Sequence, residues 1–201
     1  MDIMTGGGAA RAELDGDEGG ARFLLVLTHG SGGSVGAPDL LAARDAALGL
    51  GGLVARVTQP YQVRGARAPG SAVRQDAAWI EIVAALTKFA PGGPLIQGGR
   101  SNGARVACRT AGAVGARGVI ALAFPLRPPG AAGRNRADEL HAARASGAAV
   151  LVVNGERDPF GIPGRKDADR VVVVTGETHS LKGHRAVIAD AVAQWLPTVL
   201  R

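Results

Sequence analysis

Residues 94–103 read PLIQGGRSNG, an apolar run that breaks into a turn carrying Gly99-x-Ser101-x-Gly103. A serine between glycines at that spacing can be held up as a nucleophile on a tight strand-to-helix turn. With 31 glycines and six serines in 201 residues, chance alone yields roughly 0.14 such matches. The chain even holds a second one, Gly32-x-Ser34-x-Gly36, so context must choose between them. Ser101 follows its apolar run by a short turn, and a helical pattern begins at once. Ser34 lies six residues beyond Thr28 and well before the next helical pattern, so it lacks that setting.

A serine hydroxyl is a poor nucleophile near neutral pH and needs a base, which in turn needs an orienting acid. On a strand-turn-helix elbow of this type the chain order is Ser, then Asp or Glu, then His. Asp158 in NGERDPFG and His179 in GETHSLKG each follow an apolar run, in that order. An Asp-Pro pair is also a common turn former, so Asp158 taken alone carries two readings. Asp167 and Asp169 precede the last apolar run, and Asp138 falls in a helical pattern. His184 is the rival base but opens the final helical pattern, and His141 sits inside one. His29, closing the run RFLLVLT, reads as a brace for its loop. The glycine-rich THGSGGS turn would then supply backbone N–H groups to an oxyanion, with Asn102 giving one donor and Ser31 or Gly32 the other. An ordinary glycine loop is the alternative for that stretch.

These residues need a scaffold that brings strand ends together. Continuous apolar runs at 22–28, 94–98, 118–124 and 148–155, with shorter ones at 53–58 and 170–176, suit strands buried on both faces of a parallel sheet. Helical patterns at 38–49, 71–90, 102–112, 136–146 and 184–196 alternate with them. The expected fold class is therefore α/β, with a mostly parallel central sheet of six to eight strands and helices on both faces. In such sheets ligands sit beyond the carboxyl ends of the strands, where Ser101, Asp158 and His179 all fall. Residues 1–20, rich in glycine and acids, read as more tail than element, a flexible or edge-strand segment before one domain at 21–201. No long insertion suggests a lid.

Composition removes several classes of function. One cysteine, Cys108, excludes an internal disulfide and a multi-cysteine metal site. Neither a metal nor another cofactor is implied. The net charge of +6 comes from 20 arginines scattered along the chain, without the basic runs and interleaved aromatics of a nucleic-acid surface. The first 22 residues lack the apolar stretch of a signal peptide, and no window resembles a membrane span. A cytoplasmic protein acting on a small-molecule ester is the expectation, with no nucleic-acid or membrane partner. Arg64 and Arg67, after the run at 53–58, are the arginines suggested for a preference for carboxylate or phosphate.

Taken together, LTHGSGG, QPYQVRG, GGRSNGARVA, FPLRPPG, NGERDPFG and ETHSLKG resemble the alpha/beta-hydrolase superfamily across residues 22–196. Within it the chain is similar to the small lidless branch that resembles dienelactone hydrolases, and to bacterial relatives of KANL/Tex type. The resemblance implies that Ser101, Asp158 and His179 form a catalytic triad. Arg100-Ser101-Asn102 stands where such proteins commonly have Lys-Ser-Met, and dienelactone hydrolases proper use a cysteine nucleophile, so their lactone substrate does not carry over. The implied activity is hydrolysis of a small ester or thioester through an acyl-enzyme. A non-catalytic scaffold or interaction protein, and a peptidase on short peptides, are the alternatives.

Overall fold

A computed structural model describes residues 1–128 and 135–201. Residues 129–134, which include part of the expected substrate loop at 125–136, lie outside the described residues. The apolar runs become strands β3 (Leu24–Thr28), β4 (Leu53–Thr58), β5 (Leu95–Arg100), β6 (Gly118–Leu122), β7 (Ala149–Gly155) and β8 (Arg170–Val174). They pair in parallel, in the order β4-β3-β5-β6-β7-β8. β3, β4 and β6 are buried along almost their whole length, which explains why their sequences lack the alternation of a half-exposed strand.

The segment before residue 20 carries two further strands at the sheet edge, β1 (Asp2–Thr5) and β2 (Gly8–Asp15), which matches the edge-strand alternative and corrects the flexible-tail reading. β2 runs antiparallel to β4 and β1 antiparallel to β2, completing a sheet of eight strands. The signal was weak because the inward positions of β2 are Ala10 and Ala12, residues of low strand propensity. They are small enough to let Trp79 and Ile82 pack in the same cluster.

Helices α1 (Pro38–Gly49) and α6 (Arg185–Val199) cover one face of the sheet. Helices α3 (Ala72–Leu86), α4 (Asn102–Thr110) and α5 (Ala137–Ala145) cover the other, and the short α2 (Pro60–Val63) sits beyond the end of β4. Ser71 caps α3 by accepting the Arg74 N–H. The last helix continues past the expected stop at 196 and contains Pro197. A proline there costs a backbone bond and a local clash, offset by the burial of Trp195, Leu196 and Val199 on the α1 side.

The strand order reverses between β3 and β5. Successive crossovers leave the sheet there on opposite faces, so their carboxyl ends open a crevice. Thr28 of β3 pairs with Gly99 of β5, which sets the loop after Thr28 directly beside the turn after Gly99.

Candidate active site

Ser101 is the N-cap of α4, with φ 52° and ψ −111°, a backbone region that non-glycine residues seldom occupy. The turn is held by Ser101 N–H donating to Leu122 O at 2.9 Å. It is also held by sterics: a Cβ on Gly99 would lie 2.6 Å from Thr28 O, and one on Gly103 would lie 2.7 Å from both Thr28 O and His29 O. The two flanking glycines are therefore required by close backbone approach. Ala123 (φ 47°) and Leu181 (φ 45°) also have positive φ. Ala123 follows β6, and Leu181 lies two residues beyond His179.

The structure brings Ser101, Asp158 and His179 into one hydrogen-bonded chain. Ser101 Oγ lies 2.9 Å from His179 Nε2, and His179 Nδ1 lies 2.8 Å from Asp158 Oδ2. An ionised Asp158 accepts only, which places the imidazole proton on Nδ1 and leaves Nε2 to accept from the serine hydroxyl. The Asp158 side chain is fully buried and that of His179 largely so. Asp158 Oδ1 also accepts the Phe160 N–H at 2.9 Å. Phe160 meets the His179 ring edge-on, with centroids 4.6 Å apart, which restricts rotation of the imidazole.

Asn154, at the end of β7, was not singled out from sequence. Its buried amide accepts the Phe124 N–H at 2.9 Å and donates to Phe124 O at 3.0 Å and to Asp158 Oδ2 at 3.2 Å. It ties the β6 end to the Asp158 carboxylate. The available signal was one amide closing an apolar run, since a buried polar side chain must be bonded.

Arg100, the residue before Ser101, is a second such support. Its Nη2 donates to His179 O at 2.8 Å, and its Nε faces the fully buried Asp39 Oδ2 at 2.9 Å. The Nε–Oδ2 contact is off the N–H direction, so it is an ion pair and not a hydrogen bond. Burial pushes the Asp39 carboxyl above the usual carboxylate range, and the Arg100 charge and the Leu40 N–H offset part of that push.

Of the oxyanion candidates, Asn102 and Ser31 line the cleft that holds Ser101. Asn102 opens α4, so its N–H is one of the unpaired donors of a helix start. Its side chain is turned aside, donating to Gln75 Oε1 at 2.7 Å. Ser31 and Asn102 line one cleft with Ser101, of about 320 Å³, together with Pro69, Pro125 and Phe160. Gly32, with φ 69°, lies in the same loop but does not line that cleft, which favours Ser31 as the second donor. His29 braces the loop: Nε2 accepts the Gln59 N–H at 3.0 Å and Nδ1 faces Gly30 O at 2.9 Å. Burial lowers its pKa, keeping it a neutral strut.

The rival residues sit elsewhere. Ser34 is exposed, and its Oγ accepts the Gly36 N–H. His184 pairs with Glu177 at 2.9 Å and His141 with Asp167 at 3.0 Å, while Asp169 pairs with Arg144. Glu177 Oε1 also accepts the Gly183 N–H at 2.6 Å, closing the loop that carries His179. His184→Ala is therefore expected to change ester turnover by less than about tenfold, whereas His179→Ala, if His179 is the base, should remove most of it. Comparing kcat for the two variants checks this, and the opposite order would reassign the base. Arg64 donates to Gly7 O and lines a different crevice. Among the described residues the arginines at the Ser101 cleft are Arg105 and Arg136, and neither Arg64 nor Arg67 lines it.

Among the described residues no group of three or more His, Cys, Asp or Glu is arranged to hold a metal ion, and no helix is long and apolar enough to cross a membrane. Cys108 is fully buried, and its thiol pKa is raised by that burial, which leaves it unreactive.

Comparison with known proteins agrees with this architecture. Est1E from Butyrivibrio proteoclasticus is similar in fold, with a TM-score of 0.79 and 15% identity over 98% of this chain and 97% of that one. A dienelactone hydrolase from Anabaena variabilis gives a TM-score of 0.77 and 16% identity over 100% and 97%. A serine hydrolase without lid from Xanthomonas campestris gives 0.71 and 19% over 98% and 94%. At these identities the likeness concerns the fold alone. No curated protein matches in sequence. The profile of the alpha/beta hydrolase domain matches residues 21–188, and with a sheet of this order and no lid among its described residues, the chain belongs to the alpha/beta hydrolase family.

Proposed function

We propose that the protein is a serine hydrolase that cleaves small esters or thioesters through an acyl-enzyme. The observation that supports this reading best is the Ser101–His179–Asp158 hydrogen-bond chain on a strained turn at the floor of an open cleft. Ser101 Oγ attacks the acyl carbon while its proton passes to His179 Nε2. The oxyanion that forms accepts hydrogen bonds from the N–H groups of Asn102 and Ser31. The imidazolium, oriented by Asp158, then gives its proton to the leaving alkoxide or thiolate as the C–O or C–S bond breaks. Water enters, loses a proton to His179, and releases the acid and free Ser101 by the same steps in reverse.

The cleft sets the substrate size. Pro69, Pro125 and Phe160 offer modest apolar surface, and no lid among the described residues covers a long acyl tail. Each methylene adds about 0.8 kcal/mol only where a pocket receives it. Esters of two to four acyl carbons are thus expected to turn over at least as fast as ten-carbon ones, and Ser101→Ala to abolish the activity. An assay across 4-nitrophenyl esters of rising chain length checks this. A steady rise in kcat/KM up to ten carbons contradicts the short-acyl expectation. The absence of any turnover above the Ser101→Ala background overturns the enzyme reading in favour of a scaffold.

A further inference from the structure

The Ser101 cleft holds an arginine that the catalytic scheme does not use. Arg105 spends its fork on Glu139, at 2.9 and 2.6 Å, and the neighbouring Arg109 spends its own on Asp76, at 2.8 and 2.7 Å. Arg136, at the start of α5, lines the same cleft as Ser101 and Asn102. Among the described residues no carboxylate lies within 4 Å of its guanidinium, and residues 129–134, PGAAGR, contain none. One of its five side-chain N–H donors goes to Pro125 O at 3.3 Å, which leaves the rest of the fork available. Glu139, one turn along α5, is occupied by Arg105 and Arg109. Asp138 lines the outer continuation of the cleft beside Arg136 without pairing with it.

A partly buried guanidinium next to a reactive serine, with two other arginines already matched to carboxylates, has the character of an anion receptor. Burial and the nearby Arg105 and Arg109 charges work against its own charge, partly offset by Glu139, and an arriving anion adds the opposite charge that the fork lacks. A planar fork suits a carboxylate, which can accept two parallel N–H bonds. We propose that Arg136 selects esters that carry a second, ionised carboxylate, such as half-esters of short dicarboxylic acids. This rests on the hydrolase reading above and names its substrate class.

The test compares 4-nitrophenyl hemisuccinate with 4-nitrophenyl butanoate, which has the same four-carbon acyl chain without the charge, on the full chain. Charged hydrogen bonds in a partly dry site are worth tenfold or more. The expected kcat/KM ratio therefore favours the hemisuccinate by about tenfold or more at low ionic strength and shrinks with added salt. In Arg136→Gln the ratio falls to about one, and in Arg136→Lys part of it is kept, because a point charge replaces the fork. Matching thermal melts confirm that the variants fold. A wild-type ratio at or below one, or a preference that survives in Arg136→Gln, overturns the proposal. If neither ester turns over above the Ser101→Ala background, the hydrolase reading fails and calorimetric titration with succinate decides the arginine's role. Binding to the wild type that Arg136→Gln loses supports the anion site, and no binding to the wild type removes it.

Discussion

Asp158→Asn and His179→Ala are each expected to lower kcat for a short ester by about 10⁴-fold, and the double variant to lose little more than the worse single one. The reason lies in the single path of hydrogen bonds. In the proposed mechanism Asp158 acts only by holding and stabilising the His179 ring, and His179 only by moving the Ser101 proton, so removing either link idles the other. Asp158→Asn keeps the shape but offers an amide where the carboxylate accepted, which favours the wrong imidazole tautomer. Asn154 and the Phe160 N–H, both aimed at Asp158, cannot correct that. The same geometry predicts that a fluorophosphonate modifies Ser101 and leaves Ser34 untouched, which peptide mapping reads directly. Losses that simply multiply in the double variant, or a modified Ser34, would falsify the triad.

Arg100→Met is expected to have the second largest effect, and on two observables. Removing the arginine strands Asp39 as a fully buried carboxylate, a change worth about 3–5 kcal/mol in comparable buried pairs. Burial already raises the Asp39 pKa with Arg100 in place, and losing that charge raises it further. The folded variant then binds a proton at pH values where the unfolded chain does not. Stability is therefore regained as the pH falls through the raised folded pKa, and fully so by the unfolded value near 3.9. Urea melts at pH 8 and pH 5.5 should show a wild-type-to-variant gap that narrows on acidification, and an equal gap at both would refute the buried-charge account. Activity responds separately, because His179 O loses the Arg100 donor. Asp39→Asn combined with Arg100→Met should restore much of the stability while kcat stays roughly tenfold or more below wild type. Recovery of both together would mean that the pair serves the fold alone.

The site was legible where chemistry and strand ends coincide. Ser101, Asp158 and His179 each follow an apolar run, and the fold class followed from the spacing of those runs. What stayed hidden was held by residues whose type is common and whose partner is distant in sequence. Arg100 is one of 20 arginines, and only the path of β5 shows that it reaches both Asp39 and His179. Arg136 is likewise ordinary in sequence. Arg64 and Arg67 looked equally suitable, because nothing in one dimension reveals which arginines already have a partner. The N-terminal strands read from sequence only as an edge-strand alternative, because β2 turns alanines inward and β1 turns only Ile3 inward.

The interlock of the two glycine loops also bears on the order in which the molecule assembles. The turn around Ser101 is held by the Ser101 N–H bond to Leu122 O and by the close approach of Thr28 O and His29 O, which leaves no room for a side chain at Gly99 or Gly103. These contacts come from chain segments some 20 to 70 residues away in sequence, so none exists until β3, β5 and β6 are paired. An isolated strand-turn-helix fragment has no means of holding that backbone, and local propensity would relax it. The Ser101 turn thus forms late, with the closing of the central sheet, and not as an early local turn. Probe labelling of Ser101 during refolding should accordingly track the slow recovery of tertiary fluorescence from Trp79 and Trp195 and lag behind the appearance of helix. Ser101 labelling then reports on completion of the fold.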